Sequence, residues 1–506
     1  MTTRRTLLLG AAGLAGGAAV TALTGCAGRT SPRLVTPSGT AVQTAEAARR
    51  KPGAATVTAS LKPRPVTLDL GGVTVATWGY AEQAPGPLIR AKAGDLIRVD
   101  VHNQLPTATS VHWHGIALRN DMDGVPDVTQ PAIAAGGSFR YEFTAPDPGT
   151  YFYHPHSGVQ LDRALYGVLI VDDPADPGRY DVDWAVVLDD WVDGTGRTPD
   201  QVLADLQSMG GMNGSSMGGM DMGGMSMGGG MEMNTSAILG GAGDISYPHY
   251  LINGRIPAAP ATFTGKPRQR ARIRIVNAAS DTAFRLALGG HRLTVTHTDG
   301  YPVVPSTVDA LIVGMGERVD VETDLADGAF PLVALAEGKR DTTGAQARAF
   351  AIVRTGAGSP PPADARPAQL DGPAALATDL RAADAVRLAD RSPDRSHTLT
   401  LAGGMMPYRW TINGTTFDKA QPVTVKHGER VRLRFVNTST MFHPMHLHGH
   451  TFALAGGGPR KDTVIVKPNQ SVTVDLDAAN PGQWMTHCHN IYHAEAGMMV
   501  NLAYQE

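Results

Sequence analysis

Cysteine, excess charge and long apolar runs are all scarce in this 506-residue chain. Its two cysteines, Cys26 and Cys488, cannot form the disulfide framework that stabilises many small exported domains. Lys and Arg number 44 against 47 Asp and Glu, and this balance argues against a nucleic-acid partner and against an acidic tail. Beyond the first 26 residues, no run reaches the roughly 18 apolar residues that a membrane span requires.

Aromatic residues are few as well, while glycine and proline are plentiful. Aromatic residues make up 6% of the chain, which contains 59 Gly and 35 Pro. This composition indicates a turn-rich β protein rather than a helical one. The length predicts about three domains. We therefore expect an all-β fold in several units.

An internal repeat supports three domains. A strand-like alternation that ends in Asn occurs at 93–103 and returns at 272–277 and at 430–437. A second similarity relates residues 251–254 to residues 411–414, since both stretches contain Ile-Asn-Gly. Short strands with turn signals at this spacing favour a Greek-key β-sandwich for each domain.

The predicted organisation has six parts. They are a targeting signal at 1–26, a flexible tether at 27–55, a first domain at 56–178, a second domain at 179–358, a Pro-rich linker at 359–384 and a third domain at 385–506.

The first residues carry two export signals. The segment from Thr3 to Leu8 contains Arg4-Arg5 and resembles a twin-arginine signal, with Leu7 where Phe is usual. The ending Leu-Thr-Gly-Cys26 resembles a lipoprotein cleavage box, and an ordinary signal peptide cut nearby is the alternative. We therefore expect export by the twin-arginine route to the cell envelope. The protein would lie in the periplasm or be anchored through lipid on Cys26 to the outer side of the cytoplasmic membrane.

A motif close to the C-terminus combines two kinds of metal ligand. On a β-strand, the side chains of His487 and His489 point to one face and that of Cys488 to the other. A blue-copper site takes two His, one Cys and a weak axial Met. Cys488, His493 and Met498 supply all of these except one His.

Three other stretches can complete both sites. The stretch 443–449 offers His443 to the Cys488 side and a His-x-His pair to the other side. Two more His-x-His pairs lie near the start of the chain. The four pairs comprise His112, His114, His154, His156, His446, His448, His487 and His489. Eight histidines are enough for three coppers, and the Cys site adds a fourth.

These motifs, in this order, resemble those of the multicopper oxidases, and most closely those of exported actinobacterial copper-resistance oxidases. The resemblance runs from about residue 60 to the end of the chain. It implies three cupredoxin-like domains, four copper ions and O₂ as the electron acceptor. It assigns the type 2 copper to His112 and His446, the type 3 pair to His114, His154, His156, His448, His487 and His489, and the type 1 copper to His443, Cys488, His493 and axial Met498.

Reduction of O₂ also consumes protons, so we expect an acid near the cluster. Asp123 matches the family's acidic relay residue after the first His pair, and a turn Asp before Gly124 is the alternative reading. In some relatives a carboxylate directly follows the second type 1 His. Here that position is Ala494, and Glu495 comes next, so the second proton donor stays open.

The middle domain contains no His-x-His pair. We interpret its histidines, His249, His291 and His297, as structural or surface groups. The domain would then be a spacer that sets the first and third domains face to face, with the three-copper site between them.

A methionine-rich stretch points to the substrate. Nine methionines fall between Met209 and Met233 among Gly, Ser and Asn, which predicts a mobile loop. Thioether sulfur is a soft ligand that favours Cu(I). We therefore expect oxidation of Cu(I) for copper detoxification. Met441 would be an inner binding position that receives Cu(I) from the loop. The alternative reading of the Met-rich stretch is a low-complexity segment without a function. Phenols, as in laccases, or Fe(II) are the other substrates considered, and a copper-sequestering protein is the third hypothesis. We expect a monomer.

Overall fold

Short β-strands account for most of the regular structure in the computed structural model, which describes residues 33–176, 179–209, 235–341 and 343–506. The all-β prediction is confirmed. The predicted signal with Cys26, the start of the predicted tether and the body of the Met-rich loop lie outside the described residues. Within the described ranges, every helix is too short or too polar to cross a bilayer.

Where the structure describes it, up to residue 176, the first repeat contains nine strands and is preceded by helix α1 (Thr40–Arg49). The strands are β1 (Thr56–Leu61), β2 (Arg64–Asp69), β3 (Thr74–Gly79), β4 (Ile89–Lys92), β5 (Leu96–His102), β6 (His112–His114), β7 (Ser138–Thr144), β8 (Gly149–His154) and β9 (Gly167–Asp172). They form sheets in the orders β1-β5-β7 and β4-β9-β8-β6, together with a β2-β3 hairpin.

The described residues of the middle repeat form eleven strands and helix α2 (Pro199–Met209), and the linker adds one short strand. The strands are β10 (Val182–Trp191), β11 (His249–Ile252), β12 (Ala261–Thr264), β13 (Arg270–Asn277), β14 (Phe284–Leu288), β15 (Leu293–Thr298), β16 (Tyr301–Val308), β17 (Ala310–Val313), β18 (Arg318–Asp324), β19 (Ala329–Arg340), β20 (Gln346–Arg354) and β21 (Ala374–Ala375). The two sheets have the orders β11-β10-β13-β18-β15-β16 and β12-β20-β19-β14-β17-β21.

The last repeat reproduces that topology. Its strands are β22 (Arg395–Met405), β23 (Tyr408–Ile412), β24 (Val423–Val425), β25 (Arg430–Asn437), β26 (His443–Leu447), β27 (Phe452–Leu454), β28 (Arg460–Lys461), β29 (Thr463–Val466), β30 (Ser471–Asp477), β31 (Gln483–Cys488) and β32 (Met499–Tyr504), with helix α3 (Ile491–Glu495) before β32. The sheets run β23-β22-β25-β30-β27-β28 and β24-β32-β31-β26-β29. In all three repeats the first strand pairs in parallel with the strand that ends in the repeated Asn motif.

The repeated asparagine has the same structural task in each unit. Its amide nitrogen donates hydrogen bonds to two backbone carbonyls, one in the loop that follows it and one in a more distant segment of the same repeat, and its Oδ1 accepts from the backbone N–H two residues later. A buried side chain that satisfies three backbone groups fixes the loop after the strand, since unpaired buried backbone groups are costly. These residues are Asn103, Asn277 and Asn437.

Helix α1 corrects part of the tether prediction. Glu46 is 2% exposed, and its Oε1 accepts hydrogen bonds from the backbone N–H and the hydroxyl of Thr144 at 3.0 and 2.8 Å. Val42 is buried, and the Val35 N–H donates to the carbonyl of Tyr504. The prediction of a flexible tether is therefore wrong for residues 34–49. Polar contacts of Glu46 and Arg49 and a single buried valine hold this helix, rather than an apolar stripe, so its sequence shows little amphipathic pattern.

The first and last repeats meet through reciprocal hydrogen bonds. Asn120 donates to the carbonyl of Gln483 at 2.6 Å and accepts from the Gln483 N–H at 2.9 Å. Asn480 donates to the carbonyl of Leu118 at 2.9 Å. These bonds bring the carboxyl ends of β6 and β8 towards β26 and β31, where the histidine pairs lie.

We expect Asp320→Asn to destabilise the protein above about pH 4. Burial alone would raise the pKa of Asp320, but the charges of Arg272 and Arg274 outweigh it and lower the pKa from 3.8 to about 2. A carboxylate with a lowered pKa stabilises the fold above its unfolded pKa, and this stabilisation of about 2 kcal/mol disappears as the pH falls from about 4 to 2. Urea unfolding at pH 7 and pH 3 measures the effect. Asp309→Asn, in the exposed pair with Arg292, is the control and should change little. An equal loss for both variants would contradict the prediction.

Candidate metal centres

Three donor atoms converge on one face of β31. The Cys488 sulfur lies 3.6 Å from Nδ1 of His443 and 3.6 Å from Nδ1 of His493, and the two Nδ1 atoms are 3.1 Å apart. All three side chains are fully buried. His443 begins β26, which pairs with β31. His493 lies on α3, whose N-cap Asn490 accepts from the His493 N–H.

The outer ring nitrogens of these two histidines are held by other groups. Nε2 of His443 lies 2.8 Å from the Ser439 hydroxyl, and Nε2 of His493 lies 2.9 Å from Oδ2 of Asp244. A carboxylate accepts hydrogen bonds, so Nε2 of His493 carries a hydrogen, and Nδ1 is the ring nitrogen that a metal would bind. Met498 is buried, and its carbonyl accepts from the Cys488 N–H at 3.1 Å. Two imidazoles and a thiolate fit a blue-copper site.

Asp244 and His493 form a buried ion pair. Burial alone would lower the pKa of His493, but Asp244 and then Cys488 outweigh it and raise the pKa to about 10. Burial would raise the pKa of Asp244, yet His493 lowers it below its ordinary value. Asp244 therefore places a negative charge against the outer edge of the His493 ring.

The eight histidines of the four pairs form a second cluster. In the strand registers, His112 lies opposite His154 on β6 and β8, and His446 lies opposite His487 on β26 and β31. Rings from the first and last repeats stack on one another, with centroids 3.7 Å apart for His112 with His448 and for His114 with His446. Seven of the eight are buried, and His156 is half-buried. Each of the two repeats thus supplies four rings to one site.

Several ring nitrogens of this cluster are buried and have no hydrogen-bond partner. Such an orphaned polar atom costs about 1–3 kcal/mol unless something binds it. The atoms are Nε2 of His112, His154, His156 and His446, Nδ1 of His114 and both nitrogens of His489. Inward lone pairs of imidazoles suit copper, so the residues present fit metal ions in this site.

Hydrogen bonds to the opposite nitrogens orient four of these rings. Nδ1 of each lies 2.8–2.9 Å from a backbone carbonyl, which can only accept, so the hydrogen sits on Nδ1 and the Nε2 lone pair points inward. The pairs are His112 with Asp123, His154 with Pro155, His446 with Asp462 and His487 with Cys488.

Burial also keeps cluster rings neutral. Removal from water lowers the pKa of each ring below its ordinary value, and the neighbouring histidines lower it further. This holds for His114, His154, His156, His446, His448, His487 and His489. Neutral imidazole is the form that binds a metal.

Three family models match the chain and decide its family. Each describes a multicopper oxidase domain, and they match residues 64–176, 231–358 and 390–506. The chain is a multicopper oxidase. The predicted family and the predicted oxidoreductase class are therefore confirmed.

Two curated relatives and one solved structure resemble this multicopper oxidase over nearly their whole lengths. Multicopper oxidase MmcO of Mycobacterium tuberculosis is 50% identical over 97% of this chain and 95% of the relative. The copper resistance protein A homolog of Pseudomonas syringae pv. tomato is 29% identical over 87% and 92%. The crystal structure of a multicopper oxidase from Pseudomonas thermotolerans is 26% identical and covers 89% of this chain and 100% of that one, with a TM-score of 0.66.

Of the three predicted catalytic residues in this multicopper oxidase, only Asp123 contacts the histidine cluster among the described residues. It is fully buried, with Oδ2 2.9 Å from Nδ1 of His448 and Oδ1 3.2 Å from Nδ1 of His112. Glu495 lies at the end of α3 on the Cys488 side, and burial raises its pKa to about 7. Met441 is half-buried and packs against Gly241, in the loop that carries Asp244.

Among the described residues, the sequence analysis missed four polar residues whose side chains touch the rings of these histidines. They are Asp244, Ser439, Asp462 and Thr463, and none belongs to a recognisable motif. Asp244 and the turn at Gly316 both come from the middle repeat, and an ideal Cβ on Gly316 would fall 2.7 Å from the His489 ring. The interpretation of the middle domain as a spacer is therefore incomplete, because this domain also supplies groups that contact the histidines. Its His291 has the predicted structural role, with both ring nitrogens hydrogen-bonded to backbone groups.

Proposed function

We propose that this multicopper oxidase binds four copper ions and couples the oxidation of Cu(I) to the reduction of O₂ to water. His443, Cys488 and His493 with axial Met498 would hold the type 1 copper. His112 and His446 would hold the type 2 copper, and the other six cluster histidines would hold the type 3 pair. Bound copper would cycle between Cu(I) and Cu(II), collecting single electrons at the first site and delivering four of them to O₂ at the cluster.

Cys488 links the two centres through its own backbone. Its side chain faces His443 and His493, while its chain neighbours His487 and His489 face the cluster. Since the connection is covalent and rigidly paired to β26 and β32, the distance between the two centres is set by the strand itself. This geometry supports transfer of electrons from the first site to the second.

The observation that carries the choice of Cu(I) is where the Met-rich segment is anchored. Helix α2, which ends at Met209, packs against β23. The described chain resumes at 235 and reaches Asp244, which contacts His493. Tyr408 of β23 donates to the same Asp244 carboxylate at 2.7 Å. The helix before the segment with nine methionines thus packs on β23, and the stretch after it leads to Asp244 at the outer edge of the proposed type 1 site, where soft sulfur ligands would suit Cu(I).

Asp244 is the group that would connect a substrate ion to the type 1 site. Its carboxylate touches the outer edge of the His493 ring, whose inner nitrogen faces Cys488. A cation that binds at Asp244 would be stabilised by its negative charge and would lie one imidazole away from the proposed type 1 copper. The name of the relative from Pseudomonas syringae, a copper resistance protein A homolog, agrees with copper as the substrate.

Protons for O₂ reduction would come through Asp123. It has one carboxylate oxygen towards each of two rings from different repeats. A buried carboxyl group in this position can hold a proton within reach of the cluster and pass it inward.

We expect replacement of the nine methionines of 209–233 by Leu to impair Cu(I) oxidation selectively. The change keeps chain length and removes the soft ligands, so kcat/KM for Cu(I) should fall by roughly tenfold or more, the factor that about 1.4 kcal/mol of lost capture energy produces. The visible thiolate-to-copper band should be unchanged, since the segment supplies none of the proposed ligands of the four coppers.

The measurement is O₂ uptake with Cu(I), with Fe(II) and with a bulky phenol, at equal copper loading. The phenol is the internal control and should be oxidised at the same rate or faster. Unchanged kcat/KM for Cu(I) would contradict the proposed role of the segment and favour a laccase-like oxidation of phenols. Equal losses on all three substrates would indicate damage to the shared electron route.

A further inference from the structure

A buried network of charges joins the three repeats next to the histidine cluster. It consists of two cations and three carboxylates, all at most 2% exposed. Arg318, Asp299 and Glu317 come from the middle repeat, and Lys461 and Asp462 come from the last repeat. Burying charges is unfavourable even when they are paired, so such a network is weak evidence for added stability. Its contacts with the cluster point instead to a role in positioning.

Arg318 is the centre of this network. Its guanidinium binds both carboxylate oxygens of Asp462, at 2.7 and 2.6 Å, in the bidentate geometry that fixes orientation as well as distance. Its remaining donors reach the carbonyls of Thr150, in the first repeat, and Gly316. Arg318 therefore hydrogen-bonds to one residue from each repeat through its single, rigid and planar guanidinium group.

Asp462, whose carboxylate Arg318 holds in place, also contacts the histidine cluster. Its Oδ1 lies 3.2 Å from Nε2 of His114 and 3.4 Å from Nδ1 of His446, and its carbonyl lies 2.9 Å from the same Nδ1. The hydroxyl of Thr463 lies 3.2 Å from Nε2 of His114. Since a carboxylate only accepts, Nε2 of His114 carries the hydrogen. The free nitrogen of His114 is consequently Nδ1, whereas His446 presents Nε2.

The first histidine motif is adapted to this pair. Gly115, which follows His114, has a φ of 88° and packs directly on the Arg318 guanidinium and the Asp462 carboxylate. An ideal Cβ at Gly115 would overlap both groups. The glycine of this motif thus leaves room for the ion pair that orients the histidine before it.

We propose that Arg318 of the middle repeat is a positioning residue for the copper cluster, acting through Asp462 to set which nitrogen His114 and His446 offer to the metal. This inference rests on the copper ligands proposed above. On this proposal the middle repeat is a structural part of the copper cluster, although the proposed ligands come from the first and last repeats.

The test compares Arg318→Met with the matched control Arg272→Met. Arg272 is also a buried middle-repeat arginine paired with carboxylates, those of Asp320 and Asp176, but it contacts none of the cluster histidines among the described residues. Both variants lose a buried charge and should lose thermal stability. For Arg318→Met alone, we expect an altered type 2 electron paramagnetic resonance spectrum and a weaker near-ultraviolet band of the paired coppers. Its kcat should fall about 10- to 100-fold, as is usual when an outer partner of a ligand is removed. The blue band should be unchanged.

Two further variants keep the test decisive if Arg318→Met does not fold. Arg318→Lys retains the charge but loses the bidentate contact, so its type 2 spectrum should change in the same direction by a smaller amount. Asp462→Asn combined with Arg318→Lys should be no worse than the worse single variant, because both act on the same rings. Cluster spectra and kcat equal to those of Arg272→Met would overturn the proposal. A wild-type protein that binds no copper at the cluster would instead overturn the proposed function.

Discussion

Cys488→Ser should abolish the intense visible band and reduce oxidase activity to the assay background. The Cys488 sulfur is the thiolate that faces Nδ1 of His443 and of His493, and the hydroxyl of serine is neither soft nor ionised at neutral pH. Without it, electrons have no entry to the cluster. The eight cluster histidines keep their geometry, so the variant should bind one copper fewer than the wild type and retain its type 2 signal.

Visible absorption, copper content and O₂ uptake on the same samples measure these effects. Met485→Leu is a matched control, because it removes a buried sulfur from the same strand and Met485 is not among the proposed ligands. It should keep the blue band and the activity. A blue Cys488→Ser protein, or a wild type that stays colourless after full copper loading, would refute the assignment of Cys488.

Asp123→Asn should slow O₂ reduction by about 100-fold or more, which is the usual scale for loss of a positioned proton donor. The amide is nearly the same size, so the contact with Nδ1 of His448 at 2.9 Å can persist. It cannot carry a proton to the cluster, however. Reduction of the type 1 site by substrate should proceed at the wild-type rate, and reoxidation by O₂ should become the slow step.

Single-turnover kinetics separate these two steps. The fully reduced enzyme is mixed with O₂, and the return of the blue band is followed in time. Asp121→Asn is the control, since Asp121 lies two residues away in an ion pair with Arg119 and outside the cluster. Reoxidation of the Asp123→Asn enzyme at the wild-type rate would exclude Asp123 as the proton donor. Glu495 would then be the proton donor to test.

Local sequence patterns were sufficient to predict the fold class and the histidines and cysteine that converge in the two candidate metal centres. A His-x-His pair on a strand places both rings on one face because side chains alternate with a period of two. Neighbouring strands then bring such pairs together, as β6 does with β8 and β26 with β31. The repeated Asn at the end of β5, β13 and β25 was equally visible, because the same loop must be closed in every repeat.

The sequence by itself therefore determined the three repeats, the family and the two groups of donor atoms. Only the tertiary structure decided what surrounds them. Asp244 and His493 are 249 residues apart, Arg318 and Asp462 are 144 apart, and Glu46 and Thr144 are 98 apart. Each contact joins two single residues from distant parts of the chain. Neither residue belongs to a repeating sequence pattern, so the local sequence does not predict the contact. Whether a lone Asp or Arg is a surface group or the orienting partner of a metal-binding histidine depends on which chain segment folds against it.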